Sequence, residues 1–414
     1  MGLKAPDREA CLEMDRWDPL APFRDRFELD PGLVYMDGNS LGAPPRTARA
    51  ALLEVVDQGW SRGLVRSWNE AGWTDAPTRL GDLVGDLLGA APGQVVVADS
   101  TSINLFKLLV AALEARPQRR LVLTEEGNFP TDLYVAEGAA RLCPGVAVAR
   151  VPAGRLEGRL DDSVAVLALS HVDYRLGSMH DAEALTRAAH EVGALVLWDL
   201  SHSVGAMPLH LDRWDVDLAA GCTYKYLNGG PGSPAFLYVA GRLQAQLRSP
   251  VPGWFGHADP FTFQPSYEPA PGVSRWLAGT PPILACAALE GALEAWRDVD
   301  LAAVREKSIR LGEVMIRLAD ERLGPLGVKV ASPREAARRG SQVCLAHPEG
   351  GAVMRALIEG GVVADFRPPD VMRFGMPALY TRFVDVYDAA AGVEEVLRAG
   401  RQREARFRPR PHVP

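Results

Sequence analysis

The sequence predicts an α/β protein with a large domain on a mixed, mostly parallel sheet and a smaller α+β domain at the C-terminal end. In the first half of the chain, short β-branched runs alternate with helical patterns. From about residue 281, long helical patterns are followed by short, separated strands. A chain of 414 residues can bury two cores. We expect an N-terminal segment 1–58 that packs with the small domain, a large domain 59–285 and a small domain 286–414.

Hydrophobic periodicity predicts the individual elements along the chain. Helices are expected over 46–60, 77–90, 102–115, 130–143, 181–192, 281–297 and 301–323. Strands are expected over 94–98, 120–124, 146–151, 163–170, 194–199, 328–331, 342–346 and 371–374. Residues 251–282 are rich in Pro, Gly and aromatics without a period, which indicates a long ordered loop. In such a sheet, ligands bind beyond the carboxyl ends of the strands.

Composition excludes several classes of function. The 45 basic and 52 acidic residues are interspersed, which argues against nucleic acid and anionic membrane as partners. Five cysteines lie far apart without a CxxC pair, which is typical of reduced thiols. No secretory signal or membrane-spanning run is evident, so we expect a cytoplasmic protein. No HExxH motif or paired Cys/His spacing occurs, and no metal is predicted.

Two charged residues follow apolar stretches where a ligand site is expected. Asp199 ends the strand 194–199, and Lys225 follows a second apolar approach beside a Gly-rich segment, Gly229 to Gly232. A desolvated lysine between aromatics is a candidate for a lowered pKa, as Schiff-base formation requires. A surface lysine in a Gly-rich turn is the alternative interpretation.

The residues around these two add the other parts of a pyridoxal phosphate (PLP) site. PLP enzymes need a lysine for the cofactor aldehyde, a carboxylate that keeps the pyridine nitrogen protonated, and donors for the phosphate. Thr101 and Ser102 begin a predicted helix, where free N–H groups bind anions. Phe129 follows the next strand and can stack on a planar ring. Taken singly, these are equally an ordinary N-cap and a core aromatic.

Seven short motifs in chain order together resemble kynureninase, a family of fold-type-I PLP enzymes. The motifs are Asp37-Gly38-Asn39-Ser40-Leu41-Gly42, Phe129-Pro130-Thr131-Asp132, Asp199-Leu200-Ser201-His202, Thr223-Tyr224-Lys225-Tyr226, Pro252-Gly253-Trp254-Phe255-Gly256-His257, Gly279-Thr280-Pro281-Pro282, and Arg373-Phe374 before Pro377-Ala378-Leu379-Tyr380. The resemblance implies hydrolysis of L-kynurenine to anthranilate and L-alanine, with PLP as cofactor, in a homodimer whose active site lies at the interface.

Position by position, the resemblance also implies roles for individual residues. Lys225 would bind the cofactor aldehyde and remove the substrate's α-proton, Asp199 would contact the pyridine nitrogen, and Tyr224 is a candidate for proton transfer at Cβ. The remaining implied cofactor contacts are Thr101, Ser102, Phe129, Asp132, Ser170, His202, Trp254 and Thr280. The implied substrate contacts are Arg373, which would grip the α-carboxylate, and Trp68, Asn39 and Ser40.

Two positions depart from the animal form of the family. Trp68 stands near an expected histidine and Thr280 stands at an expected asparagine, as in bacterial enzymes that prefer unhydroxylated kynurenine. Both changes would leave a ring hydroxyl unsatisfied, so 3-hydroxykynurenine is expected to be the poorer substrate.

Two other functions remain open at this point. A cysteine desulfurase shares the lysine and the aspartate but needs a cysteine nucleophile on a mobile loop, whereas Cys344 lies in a predicted apolar strand. A catalytically silent binding protein on the same fold is the second alternative.

Overall fold

The computed structural model describes residues 4–407, and its strands form three sheets within that range. The strands are β1 Val34–Tyr35, β2 Val95–Val97, β3 Leu121–Glu125, β4 Ala147–Val151, β5 Val164–Ser170, β6 Leu195–Asp199, β7 Leu218–Gly221, β8 Phe236–Val239, β9 Lys329–Val330, β10 Gln342–Ala346, β11 Val362–Val363, β12 Asp365–Arg367 and β13 Val371–Gly375. The α-helices are α1 Arg8–Arg16, α2 Arg46–Glu54, α3 Ser67–Glu70, α4 Ala76–Leu88, α5 Thr101–Glu114, α6 Pro130–Leu142, α7 Ala182–Glu191, α8 Gly241–Gln244, α9 Ile283–Glu294, α10 Leu301–Leu318, α11 Gly350–Glu359 and α12 Phe383–Ala399.

The large sheet has seven strands in the order β2-β8-β7-β6-β5-β3-β4. Strand β8 runs antiparallel to both of its neighbours, and all other neighbours are parallel. Strands β5, β6 and β7 are buried along their whole length, as expected for a sheet covered on both faces. The prediction of a mixed, mostly parallel sheet is confirmed. The carboxyl ends of β3, β5, β6 and β7 therefore meet at one edge.

The C-terminal part of the chain forms a second, smaller unit. Its antiparallel sheet has the order β12-β13-β10-β9, and α10, α11 and α12 supply buried side chains to a separate core. Strand β1 pairs in parallel with β11. Helix α9 contributes its buried side chains to the first core instead. The predicted boundary between residues 285 and 286 stays a prediction.

The N-terminal segment is tied to this smaller unit by buried polar contacts. The carboxylate of Asp15 accepts hydrogen bonds from the backbone N–H groups of Phe383 (2.6 Å) and Val384 (3.1 Å), which begin α12. Asp18 forms an ion pair of 2.6 Å with Lys307 of α10, and both side chains are buried. These contacts satisfy free N–H groups at a helix start and a buried ammonium.

Several elements lack a counterpart in the sequence-based expectations. Strand β8 and helices α11 and α12 were not among the predicted elements, because their apolar runs are short or lie in mixed sequence. Residues 251–282 contain 3₁₀ turns but no strand or α-helix, in agreement with the expected loop. No helix in the described range is long and apolar enough to cross a membrane.

Candidate active site

The site begins at the edge where the parallel strands end. Ser170, the last residue of β5, is paired in register with Asp199, the last residue of β6. Both are buried, with exposed fractions of 6% and 8%. The Asp199 carboxylate accepts a hydrogen bond of 2.8 Å from the backbone N–H of Ser201. The strand end thus holds a buried carboxylate in a defined orientation.

A second carboxyl group lies against the first. Asp132, in the first turn of α6, accepts a hydrogen bond of 3.2 Å from the hydroxyl of Ser170. Burial, and then the nearby Asp199, raise the pKa of Asp132 well above its ordinary value. Two carboxyl groups this close cannot both ionise readily without a cation between them or beside them. The pair is therefore suited to a protonated ring nitrogen.

Lys225 faces the same region from the turn after β7. Its Nζ lies 2.9 Å from Nε2 of His202. Burial, and then the charge of Lys225, lower the pKa of His202, so its ring is neutral and Nε2 can accept a hydrogen bond from the amine. The Nδ1 atom of His202 is buried without a hydrogen-bond partner.

The other lysines of the chain do not compete for this role. Lys107 and Lys307 are buried in ion pairs with aspartates. Lys4 and Lys329 are exposed at the surface. Lys225 is the one lysine of the five that lines the cavity described below.

The turn that carries Lys225 is braced by the N-terminal segment. The backbone N–H of Gly42 donates to the carbonyl of Tyr224 at 2.8 Å. The side-chain amide of Asn228 donates to the carbonyl of Ala43 at 3.0 Å, and Asn228 itself adopts a left-handed conformation with φ of 61°. The lysine is thus positioned by residues more than 180 positions away in the chain.

An anion site lies at the start of α5. Ser100 is the N-cap, and its hydroxyl accepts from the backbone N–H of Ile103. Thr101 and Ser102 are the first two helical residues, so their N–H groups have no partner within the helix. Asp99, at a positive φ of 49°, is held by Lys107 at 2.6 Å. Hydroxyls and N–H groups at a helix N-terminus suit a phosphate.

These features surround one cavity of about 100 Å³. Nine predicted site residues line it: Thr101, Ser102, Phe129, Asp132, Ser170, Asp199, His202, Tyr224 and Lys225. The structure adds Thr131, Val172, Tyr174 and Ser201. Tyr174 packs edge-on against Phe129, with ring centroids 5.1 Å apart. Sequence reasoning missed Tyr174 because it lies in an irregular loop without a motif of its own.

Tyr224 stands beside the lysine. The Lys225 amine lies 5.9 Å from the centroid of the Tyr224 ring. Burial raises the pKa of Tyr224, so the phenol keeps its proton at neutral pH. A protonated phenol at this position can donate a proton.

Three of the four predicted substrate residues, Arg373, Asn39 and Ser40, form a cluster at the small-domain side, outside the residues that line the cavity. Arg373 of β13 is 1% exposed and donates to Ser40 at 3.1 Å and to the backbone carbonyl of Tyr174. Asn39 is fully buried, and both polar atoms of its side chain lack partners. Asp365, which sequence reasoning missed, forms a two-point ion pair with Arg373.

Three predicted residues lie elsewhere in this chain. Trp254 packs on Phe263 and Phe255 in the long loop, and Thr280 is exposed. Trp68 packs edge-on against Trp73, with ring centroids 5.7 Å apart. None of the three lines the cavity with Lys225. Within residues 4–407, no group of three or more His, Cys, Asp or Glu side chains could hold a metal ion.

The residues present fit pyridoxal phosphate. The paired carboxyl groups of Asp132 and Asp199 call for a cation, Lys225 offers an amine, and the start of α5 offers phosphate donors around one cavity. Phe129 supplies an aromatic face at the cavity wall.

Comparison with solved structures identifies the fold. The chain superposes on a cysteine desulfurase from Thermococcus onnurineus with a TM-score of 0.76 and 19% identity, over 96% of this chain and 99% of that one. A cysteine desulfurase from Escherichia coli gives 0.77 and 18%, over 92% and 98%. A C-DES variant solved with glycine covalently linked to the PLP cofactor gives 0.76 and 18%, over 90% and 99%. Fold and site define a fold-type-I, PLP-dependent enzyme.

Sequence relatives identify the family within that class. A kynureninase from Pseudomonas fluorescens is 47% identical over 412 residues, covering 98% of this chain and 99% of the relative. A kynureninase from Burkholderia pseudomallei is 47% identical over 413 residues, with the same coverage. The family model for the kynureninase C-terminal domain matches residues 304–393. The chain belongs to the kynureninase family, whose activity is the hydrolysis of kynurenine.

Proposed function

We propose that the protein cleaves the Cβ–Cγ bond of L-kynurenine with water, releasing anthranilate and L-alanine. The observation that carries the proposal is that the amine of Lys225 and the carboxylate of Asp199 line one cavity whose wall also carries Phe129. When bound, PLP supplies an electron sink for charge that develops at the substrate's α-carbon.

The chain's own residues hold and move protons around that centre. Asp199 keeps a proton on the heteroaromatic nitrogen, and Asp132 strengthens this preference because a second carboxyl group favours a cation there. Lys225 removes the proton from the substrate's α-carbon. His202, kept neutral by burial, accepts a hydrogen bond from Lys225 Nζ and orients it. Tyr224 donates a proton to Cβ once the bond to Cγ has broken.

Substrate recognition falls to the cluster around Arg373. A guanidinium binds a carboxylate with charge-assisted hydrogen bonds, and Ser40 and Asn39 lie on the segment beside it. Trp68 stands near an expected histidine of the animal form and Thr280 at an expected asparagine, and this difference makes unhydroxylated kynurenine the better substrate in the proposal. Replacing Thr280 by Asn should raise the relative kcat/KM for 3-hydroxykynurenine, and an unchanged ratio would argue against a role for this position.

The protein acts as a homodimer in this proposal. Large apolar side chains are exposed on two segments, with exposed fractions of 57% at Trp60, 77% at Val65 and 74% at Phe263. Aromatic contacts from Trp68 through the buried Phe255, and then Trp254, to Phe263 connect the two segments. Exposed apolar patches of this kind mark interfaces. Light scattering should give twice the chain mass, and Phe263→Glu should weaken the dimer.

A cytoplasmic location is also part of the proposal, and it fits the five unpaired cysteines, four of which are buried.

In the proposed dimer, Trp254 and Thr280 would reach the cofactor of the neighbouring subunit. Mixing inactive Lys225→Ala subunits with inactive Trp254→Ala subunits should restore activity in hybrid dimers, because one of the two sites then has every residue. No recovery would mean that each subunit completes its own site.

The central test combines chemistry and mass. Purified protein with PLP should be yellow, and borohydride should fix the cofactor on the peptide that contains Lys225. Lys225→Ala should lose the adduct and reduce kcat by about 10³-fold or more, since both anchor and base are removed. Lys329→Ala is the matched control, because Lys329 is exposed in β9. Fluorescent anthranilate from L-kynurenine is the expected product, and its absence with wild-type holoenzyme would refute the proposal.

The cysteine desulfurase alternative lacks support at the one residue it would need. Cys344 is fully buried in β10, and burial raises the pKa of its thiol to about 12. A nucleophilic cysteine needs exposure and a lowered pKa. The catalytically silent alternative conflicts with a cavity that keeps both Lys225 and Asp199.

A further inference from the structure

Arg373 is held by a carboxylate of its own domain. Asp365 and Arg373 are paired in register on the neighbouring antiparallel strands β12 and β13. The Nε of Arg373 donates to Oδ1 of Asp365 at 2.6 Å, and its Nη2 donates to Oδ2. One whole edge of the guanidinium is therefore occupied before any substrate arrives.

Counting the N–H donors of Arg373 shows which of them remains free for a substrate. A guanidinium has five N–H groups. Asp365 takes one on Nε and one on Nη2, Ser40 takes the second on Nη2 at 3.1 Å, and the carbonyl of Tyr174 takes one on Nη1. The remaining N–H is on Nη1. A substrate carboxylate that leaves Asp365 in place can thus approach only the Nη1 side, rather than the Nε–Nη2 edge.

Asp365 is itself fixed from two further directions. The hydroxyl of Ser40 donates to its Oδ2 at 2.6 Å, and Arg367 contacts the same oxygen at 2.9 Å. Burial raises the pKa of Asp365, but hydrogen bonds and charge from Arg373 outweigh this and leave the pKa below its ordinary value. The carboxylate is ionised, and three partners keep it from rotating.

The charged groups around Arg373 favour the binding of one more anion. Arg367 and Arg373 carry two positive charges, and Asp365 neutralises one of them. The other nearby carboxyl group is Asp37; burial, and then Asp365, raise its pKa to about 7. When Asp37 is protonated, the cluster has a net positive charge, which favours an incoming carboxylate.

We propose that Asp365 is the positioning residue for the carboxylate-binding arginine: it holds Arg373 by the Nε–Nη2 edge and directs the free Nη1 N–H at the substrate's α-carboxylate. The inference rests on the proposed function, in which Arg373 binds that carboxylate. Asp365 itself does not touch the substrate. It acts by removing the rotational freedom of a long side chain, which would otherwise be lost on binding.

The first measurement is the steady-state kinetics of holoenzyme with Asp365→Asn. The amide keeps the size of the side chain but presents an NH₂ group to a guanidinium that has only donors, so the two-point contact is lost. KM for L-kynurenine should rise about tenfold or more while kcat changes less than about threefold, the pattern of lost ground-state binding. Asp370→Asn is the control, because Asp370 lies in the turn between β12 and β13 and its carboxylate is 3.9 Å from the guanidinium of Arg175. A lowered KM would show that Asp365 competes with substrate, and would overturn the proposal.

The second measurement does not require turnover. The dissociation constants of L-alanine and L-alaninamide for holoenzyme are read from the cofactor absorbance, since the two ligands share the amine and differ in the carboxylate. Wild type should prefer L-alanine, and Asp365→Asn should reduce this preference by about tenfold. Equal weakening of both ligands would indicate a merely structural role and would overturn the proposal.

A second variant tests the proposal even if Asp365→Asn does not fold. Ser40→Ala removes the hydroxyl that donates to Asp365 and accepts from Arg373, and it should reduce the preference for L-alanine by about two- to fivefold. An unchanged preference in Ser40→Ala together with a misfolded Asp365→Asn would overturn the proposal. If wild type forms no anthranilate, the proposed function fails, whereas the ligand preference still reports on Arg373 and Asp365.

Discussion

Gly42 has no room for a side chain, and it lies against the turn that carries Lys225. A Cβ atom at this position would stand 2.2 Å from the carbonyl oxygen of Lys225 and 2.4 Å from Nδ2 of Asn228. The N–H of Gly42 also donates to the carbonyl of Tyr224 at 2.8 Å. Gly42→Ala therefore perturbs the lysine turn without altering any chemical group of the site.

The expected size of the effect follows from these distances. Ordinary non-bonded contacts lie near 3.5 Å, so the turn must retreat by roughly 1 Å. Overpacking of this kind costs about 1–3 kcal/mol of folding free energy. A displacement of about 1 Å at a reacting group can lower the rate by about 100-fold. We expect both effects, because the atoms contacted are largely backbone and cannot rotate away.

Urea unfolding and steady-state kinetics measure the two effects separately. Gly42→Ala should lower the free energy of unfolding by about 1–3 kcal/mol and lower kcat by about ten- to 100-fold. Gly138→Ala in α6 is the control, because nothing lies within 4 Å of its added Cβ. A helical Gly→Ala change should stabilise by up to about 1 kcal/mol and leave kcat unchanged. If Gly42→Ala left both quantities at wild-type values, the brace on Lys225 would be refuted.

Three further predictions concern buried charged or polar groups. Lys107→Met should destabilise the protein by roughly 2 kcal/mol and weaken PLP binding, because it leaves Asp99 and the carbonyl of Trp276 without a donor beside the anion site. Urea unfolding measures the stability and a PLP titration measures the binding, and unchanged values of both would contradict this prediction. Because the folded-state pKa of Asp132 is raised, its contribution to stability is present at low pH and is lost as pH rises through that pKa. Cofactor-free protein should thus lose stability as pH rises above the ordinary aspartate pKa of about 3.9, by at most about 1.4 kcal/mol per pH unit, and Asp132→Asn should flatten this dependence in urea unfolding. Cys344→Ala should keep kcat for L-kynurenine within about twofold, whereas loss of activity would revive the cysteine nucleophile.

Local patterns in the sequence were sufficient to find the centre of the site. Asp199 and Lys225 each follow an apolar run, and the structure brings both to the carboxyl edge of the large sheet. Thr101 and Phe129 were found by the same reasoning, since parallel strands deliver the residues that follow them to one edge. Helix and strand periods extend over several residues, and this is why they can be read from sequence alone.

Residues whose role depends on a partner far along the chain could not be found in that way. Asp365 and Tyr174 became visible only through their contacts with Arg373. The family resemblance had already named Asp132, but only the structure shows that it lies against Asp199. The order of the strands decides which loops meet, and no local pattern encodes this order. The grip of Arg373 on the substrate's α-carboxylate stays a prediction, and only the structure shows that Asp365 occupies the Nε–Nη2 edge of its guanidinium.

The amino-acid order of this chain was thus enough to define its α/β architecture and the amine and carboxylate of its chemistry, because both rest on interactions between near neighbours in sequence. Tertiary structure alone decided which carboxyl groups lie against each other, which N–H of Arg373 stays free and why Gly42 must lack a side chain. Those properties arise from atoms that are far apart in sequence and meet only when the sheets and the N-terminal segment have packed.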